Sequence, residues 1–128
     1  MKSSSATLES AKKDNEFNWA CFKAEQASRL AGKAYLILVG KSYFGHDLIT
    51  LLKKTELELD KRILQCANFL TRIYIPSRYP DALPESVSPH EVYDENDKRK
   101  AIECALKIIN LVKEAGENLR RKDEGEKE

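Results

Sequence analysis

The sequence predicts an all-α fold: an antiparallel up-and-down bundle of four to five helices, with a long proline-rich loop before the last one. Three observations carry this. Apolar residues recur at alternating three- and four-residue spacings through most of the 128 residues, which is the helical period. Gly (5) and Pro (4) are scarce, which excludes an all-β chain built on tight turns. All four prolines, Pro76, Pro80, Pro84 and Pro89, crowd into one stretch that no helix can cross without losing hydrogen bonds.

A first, short helix is predicted over residues 6–13, anchored by Ala6, Leu8 and Ala11. Asp14-Asn15 interrupts it, since both residues favour caps and turns. Residues 16–38 form the strongest element. Phe17, Cys21, Ala24, Ser28, Ala31, Tyr35 and Leu38 make one heptad-like row. Trp19, Phe22, Gln26, Leu30, Ala34 and Ile37 make a second beside it. Two rows predict a helix buried on two sides. The alanines at 20, 24, 27, 31 and 34 let neighbouring helices come close, and Gly40 supplies the stop. After a loop, His46 or Asp47 opens a short helix to about Lys54, burying Leu48, Ile49, Leu51 and Leu52. Thr55-Glu56-Leu57-Glu58 matches a capping box, which predicts a helix from Glu56 to about Ile73. The proline loop follows, and a loop this long in a compact domain is usually functional. Asp94 then caps a last helix over 95–118. One domain, 1–128, is expected, with its core over about 6–118 and a frayed, charged tail over 119–128.

Charge excludes more than it identifies. Lys and Arg number 22 and Asp and Glu 21, a net of +1, so no global field draws the chain to DNA or to a membrane. The longest apolar run, Ala34 to Val39, is too short to span a bilayer, and the polar start Lys2-Ser3-Ser4-Ser5 is unlike a signal peptide. Three dispersed cysteines, Cys21, Cys66 and Cys104, are expected to be reduced, buried thiols in a cytoplasmic protein.

No phosphate-binding glycine loop, Cys-x-x-Cys, Glu-x-x-His or His-Glu-x-x-His occurs. With only His46 and His90, in separate loops, no metal and no cofactor is expected. Two constellations remain. In Gly45-His46-Asp47-Leu48, His46 stands at a helix start, where free N–H groups and the dipole favour an anion. Equally, Asp47 only complements the dipole and His46 caps the turn. In Ile75-Pro76-Ser77-Arg78-Tyr79-Pro80-Asp81, Arg78 can grip a phosphate bidentately and Tyr79 can stack on a base. The competing reading is an Arg78–Asp81 pair that locks a structural turn.

These constellations follow a helix reading Trp19-Ala20-Cys21-Phe22-Lys23-Ala24-Glu25-Gln26-Ala27 and continuing to Lys33-Ala34. Together they resemble the HEPN domain family, in the prokaryotic branch where Gly-His-Asp-Leu precedes a short third helix and Arg-Tyr-Pro-Asp precedes the last. The resemblance covers roughly 7–115. It implies an up-and-down helical bundle, a homodimer, and a nucleotide or RNA ligand. It further implies a small nucleotidyltransferase partner, in some members a toxin–antitoxin pair. It implies ligand-binding roles for His46, Asp47, Arg78, Tyr79 and Asp81, supported by Gln26 and Lys33. Two departures stand out. Arg29 occupies a position where the family usually has Glu, and the first helix is shorter than the family's. HEPN ribonucleases carry Arg, four to six residues, then His. Here sixteen residues separate Arg29 from His46 and eleven separate Arg78 from His90, so no catalytic residue is expected. Three readings follow: a non-catalytic nucleotide- or RNA-binding module, a metal-independent ribonuclease using His46 and Arg78, and a purely structural dimeric interaction protein.

Overall fold

The structure, a computed structural model, describes residues 2–13, 17–45, 47–78 and 94–126. They form five helices: α1 (Lys2–Lys13), α2 (Phe17–Leu38), α3 (Leu48–Lys54), α4 (Lys61–Arg78) and α5 (Glu95–Glu126). There is no strand among the described residues. The order and the all-α class are those the periodicity predicts.

α2 is the central helix, packed against each of the others. Its small residues explain why. Ala20, Ala24, Ala27 and Ala31 are completely buried, so neighbouring backbones approach closely. Lys12, Phe17 and Glu95 line one cavity, and a Cβ on Gly116 would stand 3.6 Å from Leu38. α2 and α5 therefore run parallel, with α1 and α4 antiparallel to them. The core they enclose includes Leu36, Leu48, Leu51, Leu52, Leu70, Ile108 and Val112. At the end of α2, Gly40 adopts φ +77°, Gly40 N–H bonds the Ile37 carbonyl and Lys41 N–H bonds the Leu36 carbonyl at 2.7 Å. This is a complete glycine stop, as predicted.

Several boundaries differ from expectation. α1 begins at Lys2 rather than residue 6, because Ser4 is buried and its hydroxyl donates to the Ala27 carbonyl at 2.8 Å. A tertiary hydrogen bond thus holds a polar start helical. α4 begins at Lys61, not Glu56. The Thr55 hydroxyl serves the end of α3 instead, donating to the Leu52 carbonyl and accepting from Leu57 N–H. Glu56 has φ +60°, in the left-handed region, where a helix cannot start. Asp60 is the true cap, its Oδ1 accepting from Ile63 N–H at 2.8 Å. α4 continues past Ile73 to Arg78. Pro76 lies so near the end that the helix lacks one donor without breaking. α5 extends through the expected tail to Glu126, and Leu119 packs on the core. Its start is as predicted: Asp94 Oδ1 accepts from Asp97 N–H, and Asp97 Oδ2 accepts from Asp94 N–H.

The cysteines depart most. Cys66 and Cys104 form a disulfide between α4 and α5, with Cα atoms 4.9 Å apart. The expectation of three reduced thiols fails because 38 residues of sequence separate two positions that antiparallel packing makes neighbours. Those two cysteines lend no support to a reducing compartment. Cys21 remains a buried free thiol.

Candidate functional site

Asp47 opens α3 with an extended backbone (φ −83°, ψ 112°), and its carbonyl accepts from Leu51 N–H at 3.0 Å. Its carboxylate does not cap the backbone but accepts from the Thr50 hydroxyl. The turn before it is braced from both sides. A Cβ on Gly45 would strike the hydroxyl end of the Tyr43 ring, so a larger residue there must turn that side chain aside. Lys54 donates to the Ser42 carbonyl and lies 5.9 Å from the Tyr43 ring centroid. Lys41 reaches Glu56 at 3.1 Å. α3 itself rests on α2 at Gly32, where the missing side chain leaves room for Leu51.

Gln26 and Lys33 lie half-buried on α2, two turns apart. Among the described residues no hydrogen bond or ion pair joins either of them to Asp47. Arg78 is the last residue of α4, so the predicted binding loop begins where that helix ends. Its side chain, and His46, Tyr79 and Asp81, lie outside the described residues.

Sequence reasoning passed over one charged feature inside the bundle. Glu25 and Arg29, one turn apart on α2, are 1% and 8% exposed. Arg29 Nε lies 2.8 Å from Oε1 and 2.9 Å from Oε2 of Glu25. Arg29, which departs from the family's Glu, therefore forms a buried pair with the acid four residues before it. The spacing was visible, but burial was not, because an i, i+4 acid–base pair usually marks a solvated face. Nearby, the Cys21 thiol is pushed up to about 12 by burial, with repulsion from Asp97 and Asp94 adding to it.

The outer face of α2 is open in part. Trp19 is 41% exposed and meets Phe22 edge-on at 5.8 Å, and Ile37 is 75% exposed. These are the two ends of the second apolar row, expected to be buried; between them Phe22, Leu30 and Ala34 are half-buried, so the described helices cover the row only in part. No three His, Cys, Asp or Glu side chains among the described residues gather as a metal site. No described helix is long and apolar enough to cross a membrane.

The HEPN domain family profile matches residues 2–115. The crystal structure of TT1696 from Thermus thermophilus is similar at TM-score 0.80 and 29% identity, over 87% of this chain and 91% of that one. The crystal structure of ST0689, an archaeal HEPN homologue, is similar at TM-score 0.74 and 36% identity, over 90% of this chain and 93% of that one. No curated protein matches.

Proposed function

This chain belongs to the HEPN domain family, and from that premise we propose a non-catalytic binding module. It takes a nucleotide or an RNA phosphate at the loops bearing His46, Asp47, Arg78, Tyr79 and Asp81. It acts as a homodimer beside a small nucleotidyltransferase, in a toxin–antitoxin-like pair.

The non-catalytic reading rests on spacing: no arginine precedes His46 or His90 with four to six residues between, and Arg29, sixteen residues ahead of His46, is in addition held in a buried pair. A HEPN ribonuclease needs an arginine free to meet RNA near a histidine. Here the α2 arginine is buried and bound by Glu25 through both carboxylate oxygens. Breaking such a pair leaves an uncompensated charge, which costs about 3–5 kcal/mol, so Arg29 does not leave it readily. The dimer is supported by the partly covered second row of α2, with Trp19 and Ile37 exposed at its two ends.

Three measurements test the reading. Arg78→Ala should weaken mononucleotide binding by about 1.5–3 kcal/mol, the worth of a charge-assisted hydrogen bond. An unchanged affinity with lowered stability would assign Arg78 to locking a turn. Sedimentation should give a dimer, and a 14.6 kDa species at micromolar concentration would remove that part. Incubation with single-stranded RNA should give no cleavage; cleavage lost in His46→Ala would make the protein an enzyme.

A further inference from the structure

On the side of the bundle where α4 meets α5, a groove of about 630 Å³ runs over the disulfide. Four cations line it, Arg62 and Arg72 from α4 and Lys100 and Lys107 from α5, against one carboxylate, Glu103. All four are exposed. Among the described residues neither arginine nor Lys107 makes an ion pair, and Lys100 lies over the Phe69 ring, 4.4 Å from its centroid. In a chain of net charge +1, four cations against one carboxylate are a local concentration of positive charge.

The remaining lining distinguishes what the charge is for. Phe69 offers a half-buried aromatic surface at the groove wall, and Gln65 and Asn68 present exposed amides on the same helix. Cations alone suit any polyanion. Cations with an aromatic surface and amides that both donate and accept suit a chain of phosphates carrying bases and hydroxyls. Ten residues of helix separate Arg62 from Arg72, about 15 Å along the axis, so the positive charge follows a line rather than enclosing one anion.

We propose that the α4–α5 groove is a binding track for single-stranded RNA, with Arg62, Arg72, Lys100 and Lys107 holding phosphates and Phe69 stacking a base once Lys100 turns from its ring to a phosphate. Arginine supplies the bidentate phosphate contacts, lysine the point charges. The track shares no residue with the loop site proposed above and does not rest on it.

The test is fluorescence anisotropy of the full chain with a labelled 12-nucleotide oligouridylate, across 50–200 mM KCl. Four phosphate contacts give a slope of log K against log salt of about −2.8, at about 0.7 per single-strand phosphate. Arg62→Gln with Arg72→Gln should move the slope to about −1.4 and weaken binding about tenfold or more. Lys107→Glu should weaken it as well. These exposed side chains have no described ion-pair partner, so native thermal melts are expected for all variants. The double variant should still bind mononucleotide, and Arg78→Ala should keep the oligonucleotide slope, so the two sites fail separately. Wild-type affinity and slope in the double variant would overturn the track. Equal binding of an oligoglutamate peptide would make it an acidic-peptide surface, and equal binding of the matching DNA would remove the RNA assignment.

Discussion

Leu51 and Gly32 together decide whether α3 sits flat on α2, and a double-mutant cycle measures it. Leu51 is completely buried, so Leu51→Ala removes its packing and leaves a cavity that Gly32, lacking Cβ, cannot fill. The expected loss is about 3–5 kcal/mol. Gly32→Ala alone sets two effects against each other. Replacing glycine inside a helix gains about 1 kcal/mol. The new Cβ, however, would stand 3.1 Å from Leu51 Cδ2 and 3.2 Å from Cγ, and such overpacking costs about 1–3 kcal/mol. A net loss of about 1 kcal/mol is expected. In the Leu51→Ala background both opposing atoms are absent, so Gly32→Ala should stabilise by about 1 kcal/mol and the pair should couple by about 2 kcal/mol. Urea unfolding followed by far-UV circular dichroism reads this directly, since 1 kcal/mol moves the midpoint by about 0.5 M at a slope of ~2 kcal/mol/M. If Gly32→Ala has the same effect in both backgrounds within about 0.5 kcal/mol, α3 does not depend on this contact and the reasoning fails.

Glu56→Gly should stabilise by about 1 kcal/mol, because it relieves the left-handed backbone while losing only the exposed pair with Lys41; a lowered urea midpoint would show that this ion pair outweighs the strain. Arg29→Met should destabilise by about 3–5 kcal/mol, and adding Glu25→Leu should recover part of that; a double variant less stable than the single would mean that Glu25 is held by groups other than Arg29. The Cys21 thiol, held neutral to about 12, adds stability that is fully present below its unfolded value of ~8.5 and is lost as pH rises from there toward 12. Cys21→Ala should flatten this alkaline fall, by up to about 1.4 kcal/mol per pH unit, and urea unfolding at pH 8, 9 and 10 measures it.

What the sequence made legible was local. Asp94 opens α5 and Gly40 closes α2 because each device needs only residues within one turn of itself. Thr55 misled for the same reason: the capping-box pattern was present, but Asp60 five residues on offered a better cap, and Thr55 was already bonded to Leu52. Ser4 and the Glu25–Arg29 pair were missed because their role depends on burial, which packing between helices sets. The α4–α5 cations escaped notice because no motif joins Arg62 and Arg72 to Lys100 and Lys107; only antiparallel packing does. Gln26 and Lys33 lie on α2 and Asp47 caps α3, whereas no hydrogen bond or ion pair among the described residues unites them.

The link between Cys66 and Cys104 makes a covalent ring of the chain between them, and every proline lies inside that ring. Closing a circuit of 38 residues lowers the entropy of the unfolded chain by an amount worth about 4 kcal/mol at 25 °C. A second effect concerns cleavage. A protease cut anywhere between residues 79 and 93 would leave the two fragments joined, running as one species on a denaturing gel until a reductant separates them.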